Sequence, residues 1–169
     1  MLNELNPIPF KARVKEFAYD YLVILAYLVL LFGVTMTVYL LFLGGVPQMS
    51  ELQSQLVALV TSVIPIVLIF TYLDYAQGGS FGKKKAGLKL AYRHKSVKSS
   101  LLRNIVKFLP WQLGHMSTIH GIYTDYDLLA VGLSCVSITL AALLLLMTLL
   151  RKDKRHLGDL LAGTQVQVQ

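Results

Sequence analysis

Two long runs of apolar residues, 17–43 and 128–150, set the terms for this chain. The first is interrupted by one charge, Asp20, and the second by none. A helix needs roughly 20 apolar residues to cross a hydrocarbon core ~30 Å thick, and both runs reach that. Gly44-Gly45-Val46-Pro47 closes the first run with a turn signal. A third run, 56–76, holds Pro65 near its middle. A proline there predicts a kink and leaves the carbonyl of Thr61 without its helical donor. Gly78-Gly79-Ser80-Phe81-Gly82 then stops the helix. Residues 83–100 are too basic to enter lipid. Within them Leu88-Lys89-Leu90-Ala91-Tyr92 alternates like a short strand, as does Thr164-Gln165-Val166-Gln167-Val168 near the end. The two are expected to pair, since neither is stable alone. A short helix over 154–162, ending at Gly163, should precede the second.

Residues 101–123 are apolar on average but contain Arg103, Asn104, Lys107, Pro110, Gln112 and His115. They read as a third span or as an amphipathic helix lying in the interface. Charge asymmetry decides. Residues 44–55 and 114–127 carry no Lys or Arg, whereas the N-terminal tail, residues 83–100 and the tail after 150 are basic. The positive-inside rule puts both termini and the middle loop in the cytoplasm, which demands an even number of crossings. The expected fold is all-α: a four-helix transmembrane bundle in one domain, 1–169. Its spans lie near 17–43, 56–76, 101–123 and 127–150. A cytoplasmic loop at 77–100, a cytoplasmic tail at 151–169 and a two-strand cytoplasmic cap complete it. Arg103 and Lys107 are expected to snorkel to the interface.

Composition agrees. Of 169 residues 55% are hydrophobic, and mean hydropathy is +0.59, high for a soluble domain of this size. The net charge of +7 would suggest nucleic acid in a soluble protein. Here the basic residues flank spans, so anionic lipids of the cytoplasmic leaflet are the expected partner. The single cysteine, Cys135, excludes an internal disulfide. The first run is about twice the length of a signal-peptide core and no small-residue cleavage site follows, so it should persist as a span.

Three charges stand out. Arg13 and Asp20 are seven apart, on one face of one helix. They read either as an ion- or proton-responsive carboxylate held by a cation or as a structural ion pair. Asp159, set among leucines in Leu157-Gly158-Asp159-Leu160-Leu161, wants a partner or water, and Arg13 is on its side of the membrane. Arg13, Asp20 and Asp159 are expected to converge, with Arg13 compensating both acids. Lys83, Lys84 and Lys85 should meet lipid headgroups. Gln77 and Lys84 stand where a phosphate-binding loop needs glycine and a hydroxyl residue, which excludes nucleotide hydrolysis on that motif. Asn104, Lys107, Trp111, His115 and Thr118 share a helical face, either a hydrophilic pathway or interhelical hydrogen bonding. His115, His120, Asp125 and Asp127 cluster, but the five-residue histidine spacing does not suit a helical zinc pair, and no metal is expected. Ser134, Cys135, Ser137 and Thr139 read as packing surface. No catalytic residues, cofactor or enzyme activity are expected.

Arg13 before the first span, Asp20 within it and Asp159 in Leu-Gly-Asp-Leu-Leu-Ala-Gly-Thr resemble the RDD family of bacterial membrane proteins, named for one arginine and two aspartates. Gly79-Ser80-Phe81-Gly82-Lys83, Gly87-Leu88-Lys89-Leu90 and Arg103…Pro110 are similar to it as well. The triple lysine at 83–85 departs from it. The resemblance implies a small multi-pass protein of the bacterial inner membrane, with cation/proton exchange suggested for some members. Under that reading Asp20 is the titrating carboxylate. The alternative is a non-catalytic accessory subunit that binds or regulates a larger membrane complex. A homo-oligomer or a larger complex is expected either way, because one four-span chain leaves little room for a pathway.

Overall fold

The computed structural model describes residues 2–4 and 6–169. Helix α1, Phe10–Phe42, starts seven residues ahead of the apolar run. Its 33 residues span ~50 Å, well beyond the ~30 Å of a hydrocarbon core. The extra length carries its polar face, for Arg13, Glu16 and Asp20 are its buried residues. Farther along, Leu22, Val29, Leu30 and Phe32 are exposed.

Ser50 opens α2, Glu51–Ala58, with a capping box shared with Gln53. One π-helical turn, Leu59–Val63, joins it to α3, Ile64–Gln77. The irregularity expected from Pro65 is therefore a π turn just ahead of it. The Thr61 carbonyl, which Pro65 cannot serve, accepts a hydrogen bond from the Tyr27 hydroxyl of α1 at 2.5 Å. Two connected helices follow, α4 (Phe81–Lys85) and, after strand β1 (Leu88–Tyr92), α5 (Val97–Thr124). The first was expected to be loop. It forms because the Ser80 hydroxyl caps it and the carboxylate of Asp20 accepts the Gly82 N–H at 2.9 Å, fastening it to α1. Helix α6, Leu128–Leu150, is capped by Asp127 and packs along α5, with Ser117 bonded to Ser134 and Ser137 donating to the Pro110 carbonyl at 2.7 Å. Helix α7, Leu157–Ala162, leans on α5 and ends at Gly163, whose φ of 62° is the left-handed geometry glycine accepts freely.

Strand β2, Thr164–Val168, then pairs with β1 as the alternation predicted, and the pairing is antiparallel, Leu88 opposite Val168 and Tyr92 opposite Thr164. Its inner side chains join Ile8 in a small core of Leu88, Leu90 and Val166. The larger core lies between α1, α3 and α5, around Val63, Ile66, Val67, Phe70 and Phe108. The N-terminal stretch is stitched to the C-terminal tail. The Asn3 N–H donates to Gln165 Oε1 at 2.7 Å, and Asn6 Nδ2 donates to the Val166 carbonyl at 2.6 Å.

Among the described residues, three helical stretches are long and apolar enough to cross a membrane: Phe10–Phe42, Glu51–Gln77 and Leu128–Leu150. Helix α5 matches them in length at 28 residues. Its polar face keeps it below their hydropathy.

Candidate functional site

The buried charges gather at the end of the molecule where the tails meet. Glu16, on α1 between Arg13 and Asp20, accepts from Arg13 Nη1 at 2.8 Å and lies 3.5 Å from Lys83 Nζ. Lys83, on α4, also reaches Asp74 of α3 at 3.2 Å. Asp74 accepts from Arg103 Nη1 of α5 at 2.8 Å and from Asn104 Nδ2 at 3.1 Å. Arg103 Nε then donates to Asp159 of α7 at 2.7 Å. The result is an alternating chain of acid and base running through five helices. Asp20 forms a branch, accepting from Ser80 Oγ and Gly82 N at 2.9 Å and from Lys107 Nζ at 3.4 Å. Ser80 Oγ is also 3.2 Å from Lys83 Nζ, which ties branch to chain.

Four carboxylates (Glu16, Asp20, Asp74, Asp159) face four cations (Arg13, Lys83, Arg103, Lys107). All but Lys107 are almost fully buried. Charges this dry are stable only when paired and hydrogen-bonded. Asp159 is opposed by its burial, yet Arg103, His156 and the Thr164 hydroxyl outweigh that and hold the carboxyl far below its usual range. His156 goes the other way. Burial lowers it to about 3 against the pull of Asp159, so its ring is neutral. Nδ1 accepts the Gly158 N–H at 3.0 Å, which leaves the ring proton on Nε2.

This geometry corrects three expectations. Arg13 binds neither Asp20 nor Asp159. Its Nη1 is taken by Glu16 one turn away and its Nη2 by the Lys154 carbonyl at 3.0 Å. Arg103 bridges two acids instead, and it is buried rather than snorkelling. Lys83 is fully buried, because Asp74 and Glu16 attract it more strongly than headgroups could, while Lys84 and Lys85 remain exposed. The α5 face continues inward through Asn104, Lys107, Trp111 and His115, with Trp111 and His115 ring to ring at 5.4 Å. Thr118 is exposed, and Ser117 is the buried hydroxyl there. At the opposite end His120 Nδ1 lies 2.8 Å from Glu51, and its Nε2 lies 3.3 Å from Asp127.

The sequence reading missed Glu16 and the bridging role of Arg103. Both left a signal. Glu16 is three residues from Arg13 and four from Asp20, on the same face. Asp74 closes an apolar run and therefore needs a cation from elsewhere.

Together these observations define a helical protein suited to a membrane, whose buried charges are cross-linked at one end. The chain belongs to the RDD family, whose pattern matches residues 9–163, from the start of α1 to the cap of α7. No curated protein and no solved structure matches it.

Proposed function

We propose that this chain is a four-span protein of the bacterial inner membrane and works as a non-catalytic binding subunit of a homo-oligomer or larger membrane complex. Its tails and the 77–100 loop face the cytoplasm. The four-span part is supported by the hydrogen bonds between the two tails and by the pairing of β1 with β2. A chain whose ends meet crosses an even number of times, so if α6 crosses, α5 crosses with it. Lys84, Lys85 and the basic tail then rest against anionic headgroups. Cysteines placed singly at Ser50, Lys95 and Gln169 in a Cys135→Ser background test this on intact cells. Only the one at 50 should react with an impermeant thiol reagent, and labelling at 169 would remove the four-span arrangement.

The observation that carries the binding role is that each carboxylate of the network already has a cation within 3.5 Å. None is left open for an exchanging cation. Cation/proton exchange is the second reading, and the Asp20–Lys107 pair favours it. At 3.4 Å it is longer than the Arg103 bonds, and the Lys107 side chain is 20% exposed. Vesicles holding the purified protein should show no cation-dependent proton flux above empty vesicles, and native mass of the lipid-extracted protein should show partners or several copies. A flux that Asp20→Asn abolishes would replace the binding role with exchange.

A further inference from the structure

A cavity of about 130 Å³ opens beside the network, between α1, α5, α6 and the start of α7. An engineered cavity of ~150 Å³ admits a benzene-sized guest, so this one has room for a phosphate group. Its polar wall is made of Arg13, Glu16, Arg103, Lys107 and His156. Three of these are cations, one is a carboxylate and the histidine is neutral. The other acids of the network, Asp20, Asp74 and Asp159, are not on the wall. The cations also keep donors in reserve. Arg103 uses Nε for Asp159 and Nη1 for Asp74, and Nη2 takes part in neither bond. Arg13 Nε is buried with no hydrogen-bond partner among the described residues. Lys107 has three N–H groups and one long bond, to Asp20, its ammonium otherwise lying over the Phe70 and Phe108 rings at 4.4 and 5.0 Å. The rest of the wall is Phe17 on one side and Leu144, Leu145 and Thr148 on the other, with the Thr148 hydroxyl spent on the Leu144 carbonyl at 2.9 Å. Helices α1 and α6 make few backbone contacts with each other.

We infer that this cavity is an anion site that takes a phosphate group, carried by a phospholipid headgroup or free, between Arg13 of α1 and Arg103 and Lys107 of α5. Charge-assisted hydrogen bonds from arginine and lysine suit phosphate oxygens, and the apolar side suits the first carbons of a lipid. A bound anion also fastens α1 to α5 at a point where they are otherwise joined through Asp20 and Lys107. The site holds under either reading of function, since it uses no flux and no partner protein.

The test uses the full-length protein, delipidated in detergent. It is titrated with phosphatidylglycerol by native mass spectrometry and, separately, with inorganic phosphate by thermal shift. Lys107→Gln removes a donor. Leu145→Trp fills the apolar side without touching a charge. Asp125→Asn, on an exposed residue at the opposite end of α5, is the control. Saturable binding of one lipid per chain, weakened about tenfold or more by Lys107→Gln and by Leu145→Trp, identifies a headgroup. Stabilisation by inorganic phosphate with the same pattern and no retained lipid identifies the free anion. The inference is overturned if neither probe binds, if both cavity variants bind as tightly as the parent, or if Asp125→Asn loses as much as they do. Should Lys107→Gln not fold, Leu145→Trp decides alone.

Discussion

Arg103 is the residue whose loss should cost this protein most, and the network says by how much. In Arg103→Gln, Asp74 keeps Lys83 at 3.2 Å and Asn104 at 3.1 Å. Asp159 keeps the Thr164 hydroxyl at 2.8 Å, the His156 backbone N–H at 3.3 Å and the neutral His156 ring, whose Nε2 lies 3.2 Å away. A fully buried carboxylate stranded without its cation costs about 3–5 kcal/mol. In Arg13→Gln the orphaned acid is Glu16, which retains Lys83 at 3.5 Å. The Lys154 carbonyl also loses its donor, but no acid is left without a cation, so the loss stays at roughly 1.5–3 kcal/mol. The two variants should therefore differ by about 2 kcal/mol, or roughly 30-fold in the folded-to-unfolded ratio. Unfolding in mixed detergent micelles, followed by circular dichroism, measures it. Asp159→Asn added to Arg103→Gln should recover part of the loss, because it removes the stranded charge. Equal or greater damage from Arg13→Gln, or no recovery in the double variant, would refute the assignment of Arg103 as the bridge.

Three further outcomes follow from other contacts. A Cβ at Gly82 would sit 2.2 Å from the Glu16 carbonyl oxygen and 2.5 Å from Asp20 Oδ1, so Gly82→Ala must push α4 off α1. Overpacking of this kind costs about 1–3 kcal/mol, and the broken Gly82–Asp20 bond adds to it, so folded yield in detergent should fall sharply; parental yield would contradict the close approach. Tyr27→Phe leaves the Thr61 carbonyl unserved and should cost about 1–3 kcal/mol, less in a Pro65→Ala background that restores an N–H; a silent Tyr27→Phe would show that the bond contributes nothing. His156 is held neutral by burial, at about 3, whereas in the unfolded chain it takes up a proton near pH ~6.5. The unfolded state then binds more protons between those values, so stability should fall as pH drops from about 7 to about 5. Asp159, whose carboxyl is depressed, loses its contribution only below ~4, outside that window. His156→Asn keeps a helix cap and should flatten the thermal midpoint against pH, and an unchanged slope would remove His156 as the cause.

The sequence by itself determined most of the elements, though not α4, which Asp20 of α1 helps to hold. Apolar run length specified three membrane-suited helices, alternation specified the β1–β2 pair, and Pro65 named the carbonyl that would need help. Those signals are local, because helix length, strand period and a missing N–H are properties of neighbouring residues. The charges Arg13, Asp20 and Asp159 were also legible, as was the inward face at Asn104, Lys107, Trp111 and His115. Which acid meets which base was not. Coulomb attraction has no sequence spacing, and a cation on any helix end could have served Asp159. Tertiary packing settled it. The close approach of Gly82 to α1 carries Lys83 inward to Asp74 and Glu16, and the docking of α7 on α5 puts Asp159 against Arg103. Once those backbones are in place, leaving either cation outside would strand a buried carboxylate, and the cost of that is what fixes the pairing.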